Sequence, residues 1–194
     1  KSVVRLDARM HAGHWDKATH KSVELQGRTI GLVGLGAIGR RFARMCDAMG
    51  MKVIGHDPYA QNLPGYIRPV ELDAIWRESD AISLHCPLTP ENRGMVNART
   101  LATCKRGVML VNTARGGLVD EAALLEAVRS GQVASAGLDS FAVEPMTAPH
   151  PFHGQANITL SPHIGGVTGD AYVNMGVAAA RNALQVLARQ PVHA

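Results

Sequence analysis

Aromatic residues are scarce in this chain: phenylalanine, tyrosine and tryptophan make up 4% of its 194 residues, against 46% for all hydrophobic types. A nucleic-acid surface in which aromatics interleave with a basic stripe is therefore not expected. The core must be aliphatic and alanine-rich, which suits helices packed on a parallel sheet. Charge is nearly balanced, with 20 basic and 16 acidic residues for a net +4, so no nucleic-acid partner is inferred. The three cysteines, Cys46, Cys86 and Cys104, are odd in number, far apart and without a CxxC pair. That argues against a disulfide framework and for a reducing, cytoplasmic setting. No apolar run is long enough to span a bilayer and none has the form of a signal peptide, so no membrane partner is expected. His11, His14 and His20 are close in sequence, but no cysteine or carboxylate pattern joins them. They read as surface residues, and no metal is expected.

The chain is organised around Thr29 to Asp57. Thr29-Ile30-Gly31-Leu32-Val33 is an apolar run that leads directly into Gly34-Leu35-Gly36-Ala37-Ile38-Gly39. Ile38, Phe42, Met45, Cys46 and Met49 then recur at helical spacing, and Gly50 stands where a helix favours a left-handed residue. A second apolar run, Met51 to Gly55, ends at His56-Asp57. This is a strand, a glycine turn, a helix, a strand and an acid. Gly34 permits the tight turn, Gly36 lets a pyrophosphate approach the backbone, and Gly39 lets the helix lie close on the strand. The helix N-terminus offers N–H groups and a positive dipole end to phosphate. Asp57 can accept hydrogen bonds from the adenosine ribose and would repel a 2′-phosphate, which favours NAD over NADP. A bare GxGxxG is weak evidence, but here strand, helix and acid all stand in the confirming positions.

Further strands are expected at 67–69, 80–84, 107–112, 133–138 and 158–160. A short helix around Leu72, Ile75 and Trp76 ends near Ser79, and Asn97 is a possible cap for a helical turn or two over 96–102. Asp120 caps a helix over 121–130, with Val119 and Leu124 as a hydrophobic staple. The terminal helix starts near Thr168, carries a stripe of Val173, Val177, Ala180, Leu184 and Leu187, and has Pro191 beyond its end. In the leading residues, Val3, Val4, Leu6 and Met10 fit the end of a helix loosely. Trp15 stands alone in a polar stretch, either as an anchor for a partner subunit or as cover for the domain's own core. Strands alternating with helices predict an α/β fold, a doubly wound parallel sheet of Rossmann type with helices on both faces.

Ligands bind such sheets at the carboxyl ends of the strands. That edge carries the glycine turn, Asp57, His85 to Thr89, Thr113-Ala114-Arg115, Asp139 with Glu144, and His163. Arg115 could clamp a carboxylate with two parallel hydrogen bonds. His163 could give or take a proton near neutral pH, and Glu144 could stabilise the imidazolium. Each also has a plainer reading: a surface arginine, a packed loop histidine, a solvated turn glutamate.

Six segments in order carry a family resemblance. They are Val33 to Gly39, Asp57-Pro58-Tyr59, His85 to Thr89, Val111 to Asp120, Gly137 to Phe141 with Glu144-Pro145, and Ser161 to Gly166. Together they resemble the D-isomer-specific 2-hydroxyacid dehydrogenases, from about Gln26 onwards. The resemblance implies an oxidoreductase that transfers a hydride between NAD and a small D-2-hydroxyacid or 2-oxoacid. Arg115 would bind the substrate carboxylate and carbonyl, His163 would be the proton donor in reduction, and Glu144 its partner. Gly34, Gly36, Ala37 and Ile38 would face the pyrophosphate, beside Gly39, and Asp57 the ribose. Cys86, Thr113 and Ala114 would line the cofactor through backbone atoms, Arg115 and His163 would border it, and Asp139 and Gly166 would lie near the nicotinamide carboxamide. The family also implies a homodimer formed through this domain, with Trp15 at the interface. The first residue is Lys1, and family members carry about a hundred further residues ahead of this point, part of a smaller substrate domain. Residues 1–22 are then expected to be the end of an inter-domain helix and a connecting arm. Residues 23–167 would be the NAD-binding domain and 168–194 a C-terminal return helix, and the isolated chain is expected to turn over substrate poorly. Two alternatives stand beside this reading: an NAD-sensing scaffold like the C-terminal-binding co-repressors, and a phosphite dehydrogenase-like enzyme. Formate dehydrogenases carry Gln where Glu144 stands, which argues against formate.

Overall fold

All seven strands expected from the apolar runs form, and they lie parallel in one sheet. The computed structural model describes residues 2–147 and 149–188. Its strands are β1 (Thr29–Val33), β2 (Lys52–His56), β3 (Ile67–Pro69), β4 (Ala81–Leu84), β5 (Val108–Asn112), β6 (Val133–Leu138) and β7 (Ile158–Leu160). Their spatial order is β3-β2-β1-β4-β5-β6-β7. The chain winds outward from β1 to β3, then crosses to the other side of β1 and winds outward again, which is the doubly wound Rossmann-type arrangement. The helices are α1 (Val3–His11), α2 (Ala37–Ala48), α3 (Leu72–Glu78), α4 (Ala98–Thr103), α5 (Glu121–Arg129) and α6 (Gly169–Leu187). The chain divides into two compact units, Lys1–Pro162 and His163–Ala194. The first holds the sheet with α1 to α5, and the second holds α6.

Alternation along β1 assigns the faces of the sheet. Ile30 and Leu32 join Ala43 and Cys46 of α2 in one apolar cluster. Val33 joins Ile75 and Trp76 of α3, Leu101 of α4, and Leu124 and Val128 of α5 in the other. Helices thus cover both faces, as expected for a parallel sheet.

The inner side of α2 is not the stripe that the spacing predicts. Its buried residues are Gly39, Ala43 and Cys46. Phe42 is half-buried, while Ile38, Met45 and Met49 are 72%, 60% and 47% exposed. The reason is close approach: a Cβ on Gly39 would lie 2.2 Å from the carbonyl oxygen of Gly34. A helix held that near the turn leaves room for small side chains only.

Local signals set the helix ends. Asn97 accepts from Arg99 N–H and Thr100 N–H, and Thr100 Oγ1 accepts from Asn97 N–H, a capping box that opens α4. Asp120 accepts from Ala123 N–H at the start of α5, and both staple residues, Val119 and Leu124, are buried. Thr168 caps α6 through Ala171 N–H. The stripe residues Val173, Val177, Leu184 and Leu187 of α6 are 50% to 81% exposed, and α6 is the one regular element among the described residues of its unit. Pro191 lies outside the described residues. Helix α1 buries none of its residues. Trp15 is 74% exposed, so it does not serve as cover for the core.

At the edge opposite the candidate site, Asp80 ties three strands together. Its Oδ2 accepts from Thr29 N–H at 2.8 Å, its own N–H donates to Thr29 O at 2.8 Å, and its carbonyl accepts from Met109 N–H at 3.1 Å. Lys105 Nζ donates to Oδ1 at 3.2 Å, and Arg28 stands 3.8 Å away. Burial pushes this carboxyl up, but the Thr29 N–H, the Lys105 bond and the charges of Lys105 and Arg28 outweigh it and hold it below its ordinary value of 3.8. A carboxyl held low in the folded state stabilises the fold fully above its unfolded pKa, and that contribution is lost as pH falls through the folded value. Asp80→Asn is expected to lower the unfolding free energy by about 1–3 kcal/mol at pH 7. The difference from the wild type should close as pH falls below about 4, as urea unfolding at a series of pH values would show.

Candidate functional site

Register brings six strand ends into one row. His56 pairs with Val33, Val33 with Leu84, Leu84 with Asn112, Asn112 with Leu138, and Leu138 with Leu160. The residues that follow them, Asp57, Gly34, His85, Thr113, Asp139 and Ser161, therefore leave the sheet along one edge. The carboxyl-edge residues predicted for this unit are brought together there. His163 and Gly166 belong to the second unit, where both are exposed. His163 adopts a left-handed backbone, φ 55, a conformation uncommon outside glycine.

The glycine turn sits where the strand order reverses, with Asp57 after β2 on one side and Cys86 after β4 on the other. Gly34 has φ 96, and a Cβ there would lie 2.6 Å from Cys86 N. Gly36 precedes α2, and a Cβ on it would meet nothing within 4 Å, so its backbone is open to a ligand. Ala37 and Ile38 are exposed on the first turn of α2, whose leading N–H groups have no intrahelical acceptor. Asp57 is half-buried. Its Oδ2 accepts from Leu35 N–H at 2.7 Å and its Oδ1 from Tyr59 N–H at 2.9 Å. Each oxygen keeps lone-pair capacity for a further donor. Burial pushes the Cys86 thiol up, and the charge of Asp57 adds to that effect. A hollow of about 470 Å³ adjoins Asp57, lined by Leu35, Ala60, Leu63 and Glu71 among others. An open backbone at a helix N-terminus beside an anchored carboxylate fits the pyrophosphate and ribose of a dinucleotide.

The turn after β5 is preset by a residue to which the sequence reading gave no role. Asn112 is fully buried. Its Nδ2 donates to Arg115 O at 2.9 Å, and its Oδ1 accepts from Ala114 N–H at 3.1 Å. The signal for it was a polar residue closing an otherwise apolar strand. Thr113 and Arg115 are exposed and Ala114 is half-buried. Arg115 Nη1 donates to Ala114 O at 2.7 Å, so the guanidinium folds back on its own backbone. A short 3₁₀ turn, Gly116–Leu118, follows, which the sequence did not reveal.

The Glu144 segment packs directly on that turn. A Cβ on Gly116 would lie 1.9 Å from the carbonyl carbon of Phe141. Glu144 Oε1 accepts from Phe141 N–H at 2.8 Å. Glu121 of α5 accepts from Ala142 N–H at 2.9 Å and stands 3.4 Å from His150, a second carboxylate pinning this segment that was not anticipated. Asp139 is buried, and its Oδ1 accepts from Ser161 Oγ at 2.5 Å. Among the described residues no group of three His, Cys, Asp or Glu could hold a metal ion. No helix there is long and apolar enough to cross a membrane. Because Gly116 meets backbone rather than a flexible side chain, Gly116→Ala must force the two segments apart. Its thermal midpoint is expected to fall by about 5–10 °C, measured by circular dichroism.

Comparison with known proteins agrees with this geometry. The chain is 42% identical over 179 residues to a hydroxypyruvate reductase of Thermotoga maritima, covering 91% of this chain and 58% of that protein. It is 40% identical over 191 residues to a D-3-phosphoglycerate dehydrogenase of Mycobacterium leprae, covering 97% of this chain and 36% of that protein. The chain thus spans between about a third and three fifths of the length of these relatives. The crystal structure of a D-lactate dehydrogenase with NAD+ from Lactobacillus jensenii superimposes with a TM-score of 0.87 at 30% identity, covering 99% of this chain and 62% of that one. The family model for the NAD-binding domain of D-isomer specific 2-hydroxyacid dehydrogenases matches residues 1–165, and it is to this family that the chain belongs.

Proposed function

We propose that the chain is the coenzyme-binding part of an NAD-linked dehydrogenase that interconverts a small D-2-hydroxyacid and its 2-oxoacid. The observation that carries this reading is the shared edge of the sheet. There the open glycine turn and the anchored Asp57 stand in one row with the Arg115 turn, which Asn112 holds in shape. NAD, when bound, would supply the hydride acceptor or donor. Gly34, Gly36, Ala37, Ile38 and Gly39 form the pyrophosphate cradle, Asp57 takes the ribose hydroxyls, and Cys86, Thr113, Ala114, Asp139 and Gly166 border the rest of the dinucleotide. Arg115 anchors the substrate carboxylate through paired hydrogen bonds. His163 moves the proton of the substrate hydroxyl, and Glu144 is its carboxylate partner. The protein acts as a homodimer, a reading supported by the exposed Trp15, in the cytoplasm, a reading supported by its free cysteines.

Two measurements test this. In titrations of the chain with NADH and NADPH, NADH should bind more tightly. Asp57→Ser combined with a nearby arginine should narrow the gap, because a 2′-phosphate would no longer meet a like charge. Equal binding of the two by the wild type would refute the role given to Asp57. The acid–base pair is tested in the full-length protein by the rate of NADH-dependent reduction of glyoxylate and hydroxypyruvate. Glu144→Gln should slow that reduction while leaving NADH affinity unchanged. An unchanged rate would remove Glu144 from the pair. His163→Asn should reduce the rate roughly 10²–10⁴-fold, and Arg115→Ala should weaken oxoacid binding by about tenfold or more.

A further inference from the structure

We infer that Arg40 is a positioning residue for the dinucleotide, joining the pyrophosphate turn and the ribose loop into one rigid piece. The inference rests on the reading that this turn binds NAD. Arg40 is half-buried on the first turn of α2, and its partners are backbone carbonyls from two segments. Nε donates to Leu35 O at 2.8 Å, Nη2 to Gln61 O at 2.7 Å and Nη1 to Asn62 O at 3.4 Å.

The first of these bonds completes a grip on Leu35. Asp57 already holds Leu35 N–H, and Arg40 holds Leu35 C=O. The two peptide planes that meet at Leu35 are therefore both fixed. In a planar trans peptide the carbonyl and the next N–H point in opposite directions, so holding Leu35 C=O also sets the direction of Gly36 N–H. That N–H belongs to the residue whose open flank admits a ligand.

The other bonds hold the segment that begins at Asp57. Asn62 has φ 52, an uncommon conformation that persists only when its surroundings over-determine it. Arg40 supplies part of that restraint at Gln61 O and Asn62 O. Ala60 and Leu63, on either side of that pair, line the hollow next to Asp57. One planar guanidinium thus spans the turn and the loop. A lysine ammonium concentrates its donors at a point and cannot span the Leu35 carbonyl and the Gln61–Asn62 pair together. Pre-formed geometry of this kind raises affinity by removing the ordering that binding would otherwise require.

The test is the affinity of Arg40→Met and Arg40→Lys for NADH and for AMP, with hydrogen exchange of residues 58–65. Arg68→Met is the control, since Arg68 makes a surface ion pair with Glu78. Arg40→Met should weaken NADH and AMP alike by at least about fivefold, with faster exchange over 58–65 at a temperature where circular dichroism shows it folded. Arg68→Met should change neither affinity. A folded Arg40→Met that binds NADH within twofold of the wild type overturns the inference. Should Arg40→Met not fold, Arg40→Lys decides: binding weakened threefold or more supports the inference, and smaller weakening overturns it. A wild-type chain that binds no NADH would instead refute the cofactor reading itself.

Discussion

Parallel strands paired in register end at the same height, and that constraint decides where the candidate site of the first unit can stand. Asp57, Gly34, His85, Thr113, Asp139 and Ser161 each follow a strand end in one continuous row. Residues from position 34 to position 161 thus share one edge of the sheet, without any long loop reaching across. The reversal of strand order beside β1 then opens the crevice at the glycine turn, because the segments after β1 and β4 depart to opposite sides. The amino-terminal edge carries the complementary task. There Asp80 joins β1, β4 and β5 through backbone and side chain together, so the end remote from the candidate site is the one tied by charge.

Buried polar groups do the fine positioning. Asn112 lies wholly out of solvent yet uses both a donor and an acceptor on its own turn, which offsets the penalty of burying an amide. Glu144 and Glu121 each accept a backbone N–H from the Phe141–Ala142 segment. A chain stretch with little regular structure between β6 and β7 is held in this way by side chains rather than by a ladder. Gly116, with no Cβ to interpose, lets that stretch lie against the Arg115 turn.

Much of this was legible in the sequence. Apolar runs gave the strands, and Asn97, Asp120 and Thr168 announced the helix starts, because those signals are local and act through hydrogen bonds to the nearest residues. The one-sided placement of Asp57, Arg115 and Glu144 was also readable, since a parallel sheet fixes which end of each strand faces the ligand. The inner side of α2 was not. Ile38, Met45 and Met49 match the helical period as well as Gly39, Ala43 and Cys46 do. Only the distance between helix and turn, a tertiary quantity, selects the smaller set. The work of Asn112 and Arg40 was hidden for a related reason: their partners are backbone carbonyls and N–H groups, which carry no letter in the sequence.

In the role proposed for Arg115, its bond to its own Ala114 carbonyl would add a filter to the anchor. An arriving molecule that offers a single oxygen can only exchange one hydrogen bond for another and gains little. A carboxylate offers two oxygens at the spacing of the guanidinium fork and adds opposite charge, which tips the exchange in its favour. On that proposal, discrimination between an acid and its amide or alcohol analogue would begin before any other wall of the site takes part, in the competition between substrate and the chain's own backbone for one side chain.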